Sequence, residues 1–294
     1  GDDVSLETPW VGLVRDPDWY KDPKYAPYQS EGIKFPFWLQ PDKYYMGAAW
    51  YQRRVQIPRE WEGKRVVAHF ERTHWGTTLW WDGVEIGSND SLSAPHVYDV
   101  TRHATPGEHT ITLRVDNRIL VNVGENAHSV SDHTQTNWNG IVGALKLIAT
   151  DPVWIEDVQV FPDVPARAAR LRIRLGNMTG VQAGGTLRVA ATGFNAPAAH
   201  VPPEAEAEVA VGPQGAELEL VYELGPDALL WDEFQPALYR LRVALTAKAG
   251  EQAFAGEREV VFGLRSFTAD GTQFSINGRK TFLRGTLECA VFPR

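Results

Sequence analysis

Hydrophobic residues recur along this chain with a period of two, and that constrains its fold more than anything else. In Val66–Glu71, "VVAHFE", Val66, Ala68 and Phe70 alternate with Val67, His69 and Glu71. "HTITLRVDN" places Ile111, Leu113 and Val115 on one side, and "LRIRL" does the same with Leu171, Ile173 and Leu175. The pattern repeats in "AEAEVAV" (Ala205, Ala207, Val209, Val211) and in "YRLRVAL" (Tyr239, Leu241, Val243, Leu245). Successive side chains of a strand point to opposite faces, so this alternation builds half-buried strands rather than helices. Asp82-Gly83 sits between two apolar runs and Asn277-Gly278 precedes "RKTFL". Both dipeptides accept the positive φ angles of a tight hairpin turn. The expectation is an all-β protein of sandwich type.

Two changes of style divide the chain. The first 150 or so residues are aromatic-rich and open on a long Pro- and Tyr-rich stretch. Around "TDPVWIEDVQVFPD", Thr150–Asp163, the composition turns to Ala, Val, Leu and Glu. The segment from there to Leu264 has the length of an immunoglobulin-like sandwich, about 100 residues. "GLRSFTADGTQFSING" then forms a short hairpin, and "TFLRGTL" reads as one more strand. The expected divisions are 1–151, 152–264 and 265–294.

A net charge of −8 and the lack of any long basic run exclude nucleic acid as a partner. No stretch of about 18 apolar residues offers a membrane span. Cys289 is the only cysteine, so no internal disulfide forms, which leaves the compartment open. The 11 Trp residues suit either a sandwich core or stacking on the C–H faces of sugars, and most are expected in the core.

Catalytic motifs are scarce. No G-x-S-x-G elbow occurs, His128 and His133 lack metal-ligand spacing, and "GVQAGG" (Gly180–Gly185) is expected to be a loop rather than a phosphate cradle. The glycosylation triplets at Asn89 and Asn177 are weak signals. One polar cluster stands out in Ser129–Gly143, "SVSDHTQTNWNGIVG", with Asp132, His133, Gln135, Asn137, Trp138 and Asn139. Carboxylate and amide groups beside an aromatic plate suit sugar recognition, whereas the same composition also suits a solvated loop with Asx turns.

"YYMGAAWYQRRVQIPREWEGKRVVAHFERTHWGTTLWWDGVEIG" closely resembles the N-terminal jelly-roll domain of glycoside hydrolase family 2, the β-galactosidase, β-glucuronidase and β-mannosidase group. "LLWDEFQPALYRLRVAL" resembles the family's immunoglobulin-like domain. "FGLRSFTADGTQFSINGRKTFLRGTLECAVFP" resembles its link into a catalytic (β/α)8 barrel. "SNDSLSAPHVYDVT" and "LRGTLECAVFP" suggest a β-galactosidase-like branch.

The resemblance implies a jelly-roll sandwich, an immunoglobulin-like sandwich and the truncated start of a barrel. A whole barrel takes about 250 residues. Such enzymes retain configuration with two carboxylates about 5 Å apart. The resemblance places both beyond Arg294, so no catalytic residue is assigned and the chain alone is expected to be inactive. By the same resemblance Asp132, Asn137, Trp138 and Glu288 are candidate substrate-binding residues. Thr134 stands where the family carries an acidic pocket residue, Cys289 stands where it often carries His, and Arg284 is read as structural. No cofactor or metal is implied. The implied partners are a carbohydrate substrate through the complete enzyme and a second copy of the chain, with neither nucleic acid nor membrane. A periplasmic or secreted location is favoured over a cytoplasmic one. The rival readings are a stand-alone carbohydrate-binding module and a structural surface protein.

Overall fold

A computed structural model describes residues 45–122 and 139–286. The chain separates into two compact units, the first running to Ala149 and the second spanning Thr150–Gly285.

In the first unit the strands β1 (Ala48–Ile57), β2 (Arg65–His74), β3 (Gly76–Trp81), β4 (Val84–Asn89), β5 (His96–Asp99), β6 (Gly107–Asp116) and β7 (Gly140–Thr150) form two sheets. Their orders are β1-β6-β3-β4 and β5-β2-β7. Apart from the β3–β4 hairpin, strands adjacent in space are not adjacent in sequence, as a jelly-roll sandwich requires. Val66, Ala68, Phe70 and Tyr98 of one sheet pack against Ile57, Leu79, Trp81, Leu113 and Val115 of the other. The hairpin at Asp82-Gly83 forms as read, with both residues at positive φ (49° and 82°). Gly143 (φ +81°) cannot carry a side chain, because a Cβ there would lie 2.6 Å from the Glu71 carboxylate. That carboxylate accepts the Ala144 amide at 2.7 Å, fastening β7 to β2.

Two histidines brace this unit, with pKa values shifted in opposite directions. His96 is fully buried between the sheets. Its Nε2 faces the Ser91 carbonyl at 2.8 Å, so that nitrogen carries the proton and Nδ1 accepts. Thr77 Oγ1 donates to Nδ1 at 2.5 Å and takes the Tyr98 hydroxyl at 2.6 Å, linking β3 to β5 across the core. Burial depresses the His96 pKa and keeps the ring neutral. His109, by contrast, has an acceptor at each nitrogen, the Asp82 carboxylate at 2.6 Å and the Thr105 carbonyl at 2.6 Å. Burial alone would lower its pKa, but these two acceptors outweigh it and the pKa is raised.

The second unit is a seven-stranded sandwich, the count of a constant-type immunoglobulin domain. One sheet is β12-β9-β8, from β8 (Val153–Asp163), β9 (Ala168–Asn177) and β12 (Ala216–Glu223). The other is β11-β10-β13-β14, from β10 (Ala183–Phe194), β11 (Ala205–Val211), β13 (Leu238–Ala249) and β14 (Gln252–Phe262). The alternating residues Leu171, Ile173, Leu175, Tyr239, Leu241, Val243 and Leu245 are all 3% exposed or less and share one core. The outward positions carry cross-strand ion pairs. Arg172 meets Glu217 and Glu219, Arg188 meets Glu204 and Glu206, Arg240 meets Glu259, and Arg242 meets Glu257.

A three-stranded meander follows, β15 (Phe267–Asp270), β16 (Gln273–Ile276) and β17 (Arg279–Thr281), turning at Asn277-Gly278. The strand expected over "TFLRGTL" is not formed among the described residues. Only Thr281 pairs, while Phe282 (83% exposed), Leu283 (56%) and Arg284 lie outside any strand. An apolar strand needs a neighbour on each side, and none is supplied here. The Trp set also differs from expectation. Of the seven described, Trp75 and Trp81 are buried, Trp61 packs half-buried against the same core, Trp80, Trp154 and Trp231 are half-buried, and Trp50 is 61% exposed.

Candidate functional site

The substrate-binding candidates Asp132, Asn137, Trp138 and Glu288 all lie outside the described residues, as do His128, His133, Thr134 and Cys289. What the structure does describe is the root of the loop that carries the first three. β6 ends at Asp116, followed by Asn117-Arg118, and β7 begins at Gly140, preceded by Asn139.

Asn117 is completely buried, and each face of its amide is engaged. Oδ1 accepts the Gly47 amide at 2.8 Å, and Nδ2 donates to the Tyr45 carbonyl at 2.7 Å. From the returning side, Asn139 Nδ2 donates to the Gly47 carbonyl at 2.9 Å. Gly47 is therefore held by both ends of the loop at once, in a conformation (φ +137°) that favours glycine. Gly140 (φ +132°) leaves room for Tyr51, whose hydroxyl would stand 3.0 Å from a Cβ there.

Beside this clamp, Asp116 is nearly buried and receives two guanidiniums. Arg118 reaches it with Nε at 2.9 Å and a terminal nitrogen at 2.5 Å, and Arg114 with a terminal nitrogen at 2.6 Å. The Arg118 hydrogen bonds hold the Asp116 carboxyl below the usual carboxylate range. The Asp116 main-chain carbonyl accepts the Trp75 amide at 3.1 Å, tying the cluster to β3. These contacts fix where the chain leaves β6 and where it enters β7.

Arg114, Asp116, Asn117 and Arg118 were not singled out by the sequence reading. The signal available was "VDNR", four residues with three polar side chains directly after an apolar strand, and it resembles any strand exit. Elsewhere the triplet at Asn177 is closed to modification. The residue is buried and its amide nitrogen donates to the Val181 and Val211 carbonyls, each at 2.8 Å. At Asn89 the side-chain oxygen accepts the Ser91 amide at 2.9 Å. "GVQAGG" is a bend entering β10, where Gly185 packs on the β13 backbone. Among the described residues no group of three or more His, Cys, Asp or Glu could hold a metal, and no helix is long and apolar enough to cross a membrane.

This architecture recurs in known proteins. A glycosyl hydrolase family 2 member from Bacteroides cellulosilyticus superposes with a TM-score of 0.63 at 20% identity, covering 80% of this chain and 29% of that one. At 20% identity this likeness is one of fold alone. By sequence, the chain is 26% identical over 257 residues to a β-glucuronidase from Paenibacillus borealis, covering 82% of this chain and 40% of the relative. It is 21% identical to a β-galactosidase large subunit from Latilactobacillus sakei, covering 80% of this chain and 35% of that subunit. The chain thus spans well under half of the length of these relatives. No family profile matches it.

Proposed function

We propose that this chain is the non-catalytic N-terminal region of a retaining β-glycosidase, active on O-glycosyl bonds when joined to a catalytic barrel. The observation that supports this most is continuity. The likeness to the Paenibacillus borealis β-glucuronidase extends over 257 residues, more than either unit contains, so it runs through both sandwiches in order.

In this reading the first unit walls one side of the sugar pocket with the loop rooted at Asn117 and Asn139. Asp132, Asn137 and Trp138 meet substrate hydroxyls, and Glu288 shapes the pocket from the first barrel strand. The acid/base and nucleophile come from the barrel, since a lone carboxylate cannot run a double displacement. The substrate to test first is a β-glucuronide, from the name of that relative. A β-galactoside, which the sequence wording suggests, is the second arm.

The test compares this chain with the longer protein encoded by its gene on chromogenic β-glucuronide, β-galactoside and β-mannoside. The longer protein turns over one of them and the chain alone turns over none. A charge-assisted hydrogen bond contributes about 1.5–3 kcal/mol, so Asp132→Ala in the longer protein lowers kcat/KM by roughly tenfold to a hundredfold, with its melting temperature unchanged. Turnover that co-purifies with the chain alone overturns the proposal. A melting temperature that drops while kcat/KM holds removes Asp132 from the site.

A further inference from the structure

The outer face of sheet β1-β6-β3-β4 carries an aromatic and cationic row that the glycosidase reading does not use. Register places Trp50, Arg114, Thr78 and Ser88 side by side across four strands, and Gln52, Thr112, Trp80 and Glu85 in the next row. Inward-facing Leu79, Leu113 and Val115 alternate with these positions, so the rows look away from the core. Trp50 and Trp80 start two strands apart and lean over β6 until their rings are 5.3 Å apart and tilted by 34°. Trp50 remains 61% exposed.

Polar groups flank the rings in a fixed arrangement. Gln52 donates to the Thr112 hydroxyl at 3.0 Å, and Thr78 and Ser88 share a hydrogen bond of 2.8 Å. Arg114, directly across from Trp50, is held by the Asp116 carboxylate, which also holds Arg118. Among the described residues, two guanidiniums on one carboxylate leave one positive charge at the Trp50 end, while Glu85 stands beyond Trp80 at the other end.

A protein partner fits this surface poorly. Around the two indoles the rows supply Gln52, Thr112, Thr78, Ser88, Arg114 and Glu85, without the further apolar side chains that the centre of a protein interface buries. A pyranose ring fits better, since it offers an apolar C–H face to an indole and hydroxyls to the amide and hydroxyl groups alongside. The uncompensated guanidinium adds a requirement for negative charge on the ligand. Arg is suited to it, because its planar fork matches a carboxylate.

We propose that this face binds a β-linked, uronate-bearing glycan. Trp50, backed by half-buried Trp80, stacks on a sugar ring, Gln52 and Thr112 contact hydroxyls, and Arg114, steadied by Asp116, pairs with a ring carboxylate. The surface lies wholly on described strands of this chain, so it stands or falls independently of the catalytic proposal.

The test is calorimetric titration of the purified chain with a β-1,4-linked mannuronate hexasaccharide and with neutral β-1,4-mannohexaose, which has the same backbone without carboxylates. The uronate binds saturably, at least tenfold tighter than the neutral sugar, and weakens several-fold between 20 and 300 mM salt as the charge is screened. Trp50→Ala lowers its affinity tenfold or more with the thermal transition unchanged. Arg114→Gln abolishes the preference for the uronate. No binding, or Trp50→Ala binding as the parent does, overturns the proposal. Equal affinity for the two sugars overturns the carboxylate assignment. If the chain instead self-associates on sedimentation and Trp50→Ala abolishes that without affecting any sugar, the occupant is a second copy and the glycan proposal fails.

Discussion

Replacing Asn117 with Ala should unlatch the loop root, and the cost can be worked from its two hydrogen bonds. The substitution strips the Gly47 amide and the Tyr45 carbonyl of their side-chain partners, at a position with no solvent exposure. Each buried backbone group left without its partner costs about 1–3 kcal/mol, giving about 2–6 kcal/mol together. Even the lower figure corresponds to a fall of about 6 °C in the melting temperature of a unit this size.

Asn117→Asp sharpens the argument. A carboxylate can still accept the Gly47 amide, but it meets the Tyr45 carbonyl with like polarity, whereas the protonated acid can donate to that carbonyl. The folded pKa of the introduced acid is thus raised. Its deficit relative to the parent is fully present at neutral pH and shrinks as pH falls through that raised value. Urea denaturation followed by tryptophan emission is the assay, since Trp50, Trp61, Trp75, Trp80 and Trp81 report on the first unit and Trp154 and Trp231 on the second. A loss under about 0.5 kcal/mol, within the range of an ordinary surface substitution, refutes the reasoning. So does an equal shift in the second unit's transition.

Other outcomes follow from the same structure. His109 has a raised pKa, so its contribution is fully present below the unfolded value of about 6.5 and is lost as pH rises through the folded value. His109→Gln should therefore cost more at pH 5.5 than at pH 8.5 in thermal melts, by under about 1 kcal/mol because Asp82 is half exposed. His96 runs the other way. Its folded pKa is depressed, so the first unit should lose stability as pH falls below about 6.5 in the parent, and a His96→Phe variant should lack that dependence in urea titrations over the same range. Thr77→Val, which removes partners from His96 and Tyr98, should cost about 1–3 kcal/mol, against under about 0.5 kcal/mol for outward-facing Thr78→Val. Leu241→Ala should destabilise only the second unit's urea transition, by about 2–5 kcal/mol.

The fold class was legible because alternation is a direct imprint of burial. Leu171, Ile173, Leu175 and the Tyr239–Leu245 set face inward as their spacing requires, and the Asp82-Gly83 and Asn277-Gly278 turns use the positive φ that suggested them. Alternation was less informative where both parities are large. "AAWYQRRVQI" gives no reason to prefer Trp50 or Tyr51 as the outward residue, which hid the exposed indole pair. The Asn117 latch was illegible for another reason. Its partners are backbone groups of Gly47 and Tyr45, about 70 residues earlier, and main-chain partners leave no side-chain signature. "TFLRGTL" reads as a strand by local propensity, but strand pairing needs a neighbour, and its described residues after Thr281 lie outside any strand.

The ion pairs on the second sandwich follow a rule of position. Inner strands carry the arginines, Arg170, Arg172 and Arg174 on β9, Arg188 on β10, and Arg240 and Arg242 on β13. The four border strands lean acidic, with Glu156, Asp157 and Asp163 on β8, Glu206 and Glu208 on β11, Glu217, Glu219 and Glu223 on β12, and Glu257 and Glu259 flanking Arg258 on β14. Individually such exposed pairs add little stability. Collectively they give the border strands of both sheets the same sign, so two molecules approaching by the borders left uncovered repel before unpaired backbone groups can meet. The alternation of charge from centre to border thus acts as a fence against fibre-like growth, one that acid or concentrated salt would lower without breaking a single core contact.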